Sequence, residues 1–172
     1  PHKRAAAGLG RTFQNIRLFR SMTALENVVI GAERPGNALT QGKDRAAIEA
    51  RALAALDFVG LGTRAGESVT AFSYGHHRLI EIARALAANP TLLLLDEPAA
   101  GLNTTEKRGL HDLLERIAAS GLTILIIDHD MTLVSEAARH ITVLNFGRRI
   151  ADGESMAVLR HPDVVAAYLG TD

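Results

Sequence analysis

The sequence predicts an α/β fold, a mainly parallel sheet with an inserted helical segment, on three observations. Leu92-Leu93-Leu94-Leu95 is a continuous apolar run, the pattern of a strand buried on both faces, and Leu122-Thr123-Ile124-Leu125-Ile126-Ile127 reads as a second buried strand. A helical pattern from about Thr104 to Ala119 separates them, with Gly121 as its stop. Strand, helix, strand at this spacing makes a βαβ unit with parallel strands joined right-handedly. Ahead of that unit the period is helical, broken only by polar loops.

Each element follows from local signals. Arg11-Thr12-Phe13-Gln14 reads as a short extended start. A helix opens at Thr23, where Thr23 and Glu26 have the spacing of a capping box. Pro35, Gly36, Asn37 and Gly42 mark a loop. Ala46, Ala50, Leu53 and Leu56 keep a helical spacing, and Gly60 and Gly62 stop that helix. A second helix begins after Ser73, carries Leu79, Ile82 and Leu86 on one side, and ends before Asn89-Pro90. After the βαβ unit, a short helix follows Asp130. A third apolar strand, Ile141 to Phe146, then turns at Gly147 into Arg148-Arg149-Ile150-Ala151 as a hairpin at the sheet edge. Two short helices finish the chain.

Composition limits the function classes. The chain has 172 residues, 19 basic and 19 acidic, for a formal net charge of zero. That balance excludes a protein that grips nucleic acid by bulk charge. Cysteine is absent, so disulfides and thiolate metal sites are excluded. No apolar run approaches the ~18 residues that a membrane-crossing helix needs.

Ligands of open parallel sheets bind beyond the carboxyl ends of the strands. The first apolar run delivers Asp96-Glu97-Pro98 there, and the second delivers Asp128-His129-Asp130. One acidic strand end is ordinary, because the chain is entering solvent. Two parallel neighbours carrying Asp-Glu and His point to a site. Leu92 to Glu97 has the form of a Walker B motif, in which the Asp holds Mg²⁺ and the Glu orients or deprotonates an attacking water. Ser73-Tyr74-Gly75 stands at a helix N-terminus, where free N–H groups and a partial positive charge favour phosphate. Taken alone, Ser73 is an ordinary N-cap. His76 and His77 read as solvated.

Together these residues resemble the ATP-binding subunit of ABC transporters. Gln14 is similar to the Q-loop, Ser73-Tyr74-Gly75-His76 to the signature motif, Asp96-Glu97 to Walker B, Gly101-Leu102-Asn103 to the D-loop and His129 to the H-loop. Arg11 to Phe19, and His161-Pro162-Asp163-Val164-Val165 through Tyr168-Leu169-Gly170, look like the branched-chain amino acid importers. Phe72, Tyr74 and His76 depart from the usual Leu-Ser-Gly-Gly-Gln, although Tyr at that place is familiar in the branched-chain group.

The resemblance implies a P-loop NTPase core with a helical subdomain. It divides the chain into 1–14 (core segment with the Q-loop), 15–88 (helical subdomain with the signature) and 89–172 (the rest of the core). It implies ATP and Mg²⁺ as ligands. Glu97 would be the general base and Asp96 and Gln14 would organise Mg²⁺ and water. His129 would meet the γ-phosphate, and Ser73, Tyr74, Gly75, His76 and Asn103 the nucleotide of a second ATP-binding subunit. It also implies membrane-spanning permease partners, a solute-binding protein acting through them, and a cytoplasmic place on the inner face of the membrane.

No Gly-x-x-x-x-Gly-Lys-Ser/Thr occurs in the chain. Gly36 to Gly42-Lys43-Asp44 is one residue too long and has Asp where the hydroxyl belongs. The chain starts with Pro1, just ahead of the Q-loop. The expectation is that the P-loop strand precedes this sequence and that the 172 residues alone hydrolyse no ATP.

Two rival readings use the same residues. Ala71-Phe72-Ser73-Tyr74-Gly75 approaches a nucleophile elbow, with Ser73, Asp96 and His129 in the chain order of α/β-hydrolases. That reading lacks the first Gly and leaves Gln14, Glu97 and Asn103 without a role. The other rival is a degenerate ABC subunit lending only its signature face, against which Glu97 and His129 argue.

Overall fold

Strand β2 (Leu92–Asp96) lies between β1 (Leu9–Arg11) and β3 (Thr123–Ile127), parallel to both. Leu92 stands opposite Leu9 on one side and Thr123 on the other, and Asp96 stands opposite Ile127. The structure, a computed structural model, describes residues 2–33 and 44–169. Within these, the residues up to Asp128 and those from His129 onward form two compact units.

The expected βαβ unit is present, with α5 (Thr104–Ala119) as its crossover. The first strand is shifted from expectation. It covers Leu9–Arg11, and the ladder runs one residue further through Thr12, whose N–H donates to the Leu94 carbonyl at 3.0 Å. Leu93 and Leu95 are buried, as a central strand requires. Burial of β3 on both faces is not found, since Leu125 is 47% exposed and Ile127 60%. A run of apolar residues locates a strand but does not say which neighbours cover its faces.

The helices ahead of β2 are α1 (His2–Ala6), α2 (Ala24–Ala32), α3 (Arg45–Phe58) and α4 (Tyr74–Ala87). The capping box of α2 forms as expected: Glu26 N–H donates to Thr23 Oγ1 at 3.1 Å, and Thr23 N–H to Glu26 Oε2 at 2.8 Å. Helix α3 buries Ile48, Ala52, Ala55 and Leu56, whereas Ala46, Ala50 and Leu53 face solvent. Alanine on every side of this helix leaves the apolar period without a preferred face. Helix α4 packs against both α2 and α3 and is buried on most sides, with Ile80, Ile82 and Ala83 inaccessible. Leu79 and Leu86 are only half-buried, so the expected Leu79–Ile82–Leu86 stripe is not its core face. Pro35, Gly36, Asn37, Gly42, Lys43 and the terminal Gly170 lie outside the described residues, and Asp44 caps α3 by accepting from Ala47 N–H at 3.1 Å.

In the second unit, β4 (His140–Asn145) and β5 (Arg148–Glu154) form the expected hairpin. Phe146 and Gly147 have φ of +45° and +76°, as a two-residue type I′ turn demands. The pair makes its own antiparallel sheet and does not extend the parallel one. Ile141 and Val143 are buried while Thr142 and Leu144 are exposed, the alternation of a strand with one covered face. With Val158 and Val164 they form this unit's core, against which Met131, Val134, Ile150 and Leu159 pack. Helices α6 (Met131–Ala137), α7 (Ser155–Leu159) and α8 (Pro162–Val164) supply all of these but the strand residues Ile141, Val143 and Ile150, and a π-helical turn, Val165–Leu169, follows.

Candidate functional site

The carboxyl end of β2 presents two acids in different ways. The Asp96 carboxylate pairs with Arg11 Nη2 at 3.1 Å, a partner delivered by the adjacent strand β1. Glu97 N–H donates to the Ile127 carbonyl at 2.7 Å, so the ladder to β3 continues one residue past the strand. The Glu97 backbone then turns into the left-handed region, with φ +45°, an uncommon and strained conformation for a side-chain-bearing residue. This turn leaves the Glu97 carboxylate where Gln14 reaches it: Gln14 Nε2 donates to Glu97 Oε2 at 2.8 Å. Asp128, at the end of β3, accepts from Ala99 N–H at 3.4 Å and ties that strand end to the segment after Glu97.

Asp96, Glu97 and Gln14 are thus brought to one edge of the sheet. Their donor set, two carboxylates and the amide oxygen that Gln14 keeps once its nitrogen is committed to Glu97, is the hard-oxygen chemistry that fits Mg²⁺.

A second cluster forms around the N-terminus of α4. Ser73 is its N-cap, accepting from His76 N–H at 3.4 Å, and its hydroxyl lies 3.1 Å from His76 Nδ1. His77 is not simply solvated, since its Nε2 lies 2.8 Å from the Val69 carbonyl. Gly75 packs against Glu106, whose carboxylate a Cβ at position 75 would strike. Glu106 and Asn103 form the capping box of α5, with Glu106 N–H donating to Asn103 Oδ1 and Asn103 N–H to Glu106 Oε2, both at 3.0 Å. Ser73, Tyr74, Gly75 and His76 therefore sit beside the Gly101–Asn103 turn. The segment before Ser73 is a 3-10 turn, Val69–Ala71, so the strand that a nucleophile elbow requires is absent and the hydrolase reading loses its footing.

His129 opens the second unit, directly before Asp130, which caps α6 by accepting from Thr132 N–H at 3.1 Å and Leu133 N–H at 3.2 Å.

Sequence reasoning missed the buried pair Arg78 and Glu81, each 1% exposed and 2.8 Å apart on successive turns of α4. Burial pushes the Glu81 carboxyl upward, and the nearby Arg78 and Arg84 guanidinium groups pull it back. Arg78 also donates to the carbonyls of Phe13 (Nη1, 2.9 Å) and Gln14 (Nη2, 3.0 Å), while Arg84 donates to the Arg17 carbonyl at 2.7 Å. The available signal was an Arg and a Glu three apart among apolar residues of one helix.

The family profile described as ABC transporter matches residues 1–100. The high-affinity branched-chain amino acid transport ATP-binding protein BraF of Pseudomonas aeruginosa is 41% identical over 179 residues, covering 98% of this chain and 70% of that protein. This chain belongs to the ABC transporter family. Within the family, the high-affinity branched-chain amino acid transport ATP-binding protein LivG of Escherichia coli is 39% identical across 96% of this chain and 69% of its own length. The ADP-bound ATP-binding cassette MJ1267 superimposes with a TM-score of 0.84 at 32% identity, covering 99% of this chain and 72% of that one. The dimeric cassette MJ0796 bound to ADP and Pi gives 0.74 at 26% identity, over 90% and 65% of the two chains. The α/β unit of this ABC transporter chain accordingly has the P-loop NTPase fold.

Proposed function

We propose that this chain works in the ATP-hydrolysing subunit of an importer for branched-chain or other amino acids, and that the 172 residues, which hold no Gly-x-x-x-x-Gly-Lys-Ser/Thr, do not hydrolyse ATP alone. The observation that carries the reading is the Gln14–Glu97 hydrogen bond at the end of β2, an amide and a strained acid together at the carboxyl edge of the sheet, where ligands of open parallel sheets bind. BraF and LivG, named for branched-chain amino acid transport, supply the cargo class.

In this reading Glu97 holds and deprotonates the attacking water, and Gln14 orients that water through its amide. Asp96 and Gln14 hold Mg²⁺, which when bound neutralises developing phosphate charge. His129 meets the γ-phosphate. Ser73, Tyr74, Gly75, His76 and Asn103 present a polarised helix end to the nucleotide held by a second ATP-binding subunit. Residues 1–14 and 89–172 serve as core and 15–88 as the helical subdomain that docks on a permease. A solute-binding protein delivers cargo on the far side, and the subunit works from the inner face of the membrane.

The test is ATP turnover and leucine uptake by the assembled transporter in vesicles. Glu97→Gln is expected to lower turnover by about 100-fold or more while ATP binding persists. Turnover unchanged by that substitution would remove the assignment.

A further inference from the structure

Helix α4 begins at the Ser73 turn, and one turn further on it carries a cation that does more than pair with its neighbour. Arg78 is 1% exposed, and its Nη1 is shared between Glu81 Oε2 and the Phe13 carbonyl while its Nη2 reaches the Gln14 carbonyl. Its Nε is buried with no hydrogen-bond partner. A buried donor left unmet carries a cost. The guanidinium is therefore oriented by its two carbonyl contacts, at the expense of its own full satisfaction. Glu81 adds a weaker third tie, accepting from Phe13 N–H at 3.5 Å.

We propose that Arg78 is a positioning residue: it sets the Gln14 amide against Glu97 from the signature helix, and so links the Ser73 end of α4 to the hydrolytic carboxylate. The path is continuous, from the α4 backbone through the Arg78 fork to the carbonyls of residues 13 and 14, then through the Gln14 side chain to Glu97 Oε2. Stability alone does not call for such a device, because a buried ion pair can often be replaced by apolar residues without loss. The planar fork matters here, since its two separated nitrogens meet two successive carbonyls and a carboxylate in fixed directions, whereas an ammonium offers its three N–H groups from a single point. A displacement of α4 is thereby passed to the Gln14 amide, and misplacement of a catalytic group by about 1 Å can cost about 100-fold in rate.

The inference rests on the ATPase reading above, and the experiment separates the two. In the assembled transporter, kcat and KM for ATP are measured for wild type, Glu97→Gln, Gln14→Ala, Arg78→Lys and the Gln14→Ala/Arg78→Lys double variant. Arg78→Lys keeps the charge beside Glu81 and loses the fork. It is expected to lower kcat by about 10- to 100-fold with KM within about threefold of wild type. The double variant is expected to be no more than about twofold slower than Gln14→Ala alone, because both changes cut one path. A merely structural Arg78 gives losses that multiply in the double variant, and that result overturns the inference, as does a wild-type kcat for Arg78→Lys. Should Arg78→Lys fail to fold, the neutral pair Arg78→Gln/Glu81→Gln is measured instead, with the same expected kcat loss and the same overturning results. An inactive wild type sinks the ATPase reading itself and the inference with it. An active wild type with an inactive Glu97→Gln and an unaffected Arg78→Lys sinks the inference alone.

Discussion

The Tyr74 ring lies against Gly101, so closely that a Cβ on residue 101 would stand 2.9 Å from Tyr74 Cε1. The contact joins the first turn of α4 to the turn ahead of α5, the two segments that carry the signature and D-loop residues. Gly101 also has φ +77°, where only glycine is free of strain. Gly101→Ala therefore meets two separate penalties, left-handed backbone and a displaced ring. We expect a loss of about 2 kcal/mol, a fall in Tm of about 4–8 °C for a chain of this size. Tyr74→Ala removes the ring, so Tyr74→Ala/Gly101→Ala should lose less than the two single changes summed. Additive losses would show that the ring contact carries no strain.

What could be read from the sequence was whatever lay within a few residues. The Thr23–Glu26 capping box, the Ser73 cap and the hairpin at Gly147 are each made by neighbours three or four positions apart, and each forms as read. The βαβ unit was legible because its strands and helix differ in period. The buried face of α3 was not, because its alanines give every face the same polarity. The meeting of Gln14 with Glu97 entered only through family resemblance, since the residues are 83 positions apart. The spacing of Arg78 and Glu81 hinted at their pairing but not at the reach of Arg78 to residues 13 and 14, because those partners are backbone carbonyls 65 and 64 positions away, which no side-chain pattern announces.

Buried charge makes Glu81 a sensitive position. Glu81→Ala leaves the Arg78 guanidinium without its carboxylate in a dry interior, which should cost about 3–5 kcal/mol. Arg78→Met/Glu81→Leu removes both charges and should recover most of that stability. Urea unfolding of the three proteins makes the comparison. A double variant as unstable as Glu81→Ala would show that the pair is worth more than its desolvation.

Acid should act on the second unit through Asp152. The Thr142 hydroxyl, then His140, hold the Asp152 carboxyl below its ordinary range, and Arg149 adds a smaller pull. A depressed folded pKa contributes stability that is present above the unfolded value, about 3.9, and is lost as pH falls from there through the folded value. The urea midpoint of wild type should therefore exceed that of Asp152→Asn at pH 6, and the gap should narrow towards pH 3. A gap independent of pH would mean that the hydroxyl contact matters and the charge does not.

Strand β3 is paired on one side only among the described residues, and it carries the exposed Leu125 and Ile127. An edge strand with free N–H and C=O groups and an apolar face is a template for further strand pairing. The 172-residue chain should therefore self-associate as its concentration rises, with β3 as the seam. Leu125→Lys places a charge on that face without touching Asp96, Glu97 or Gln14, and charges on edge strands oppose pairing. Light scattering against concentration should rise for the parent chain and stay flat for Leu125→Lys. Equal scattering for the two would place the contact elsewhere, and the fully exposed Phe146 at the β4–β5 turn would be the next residue to change.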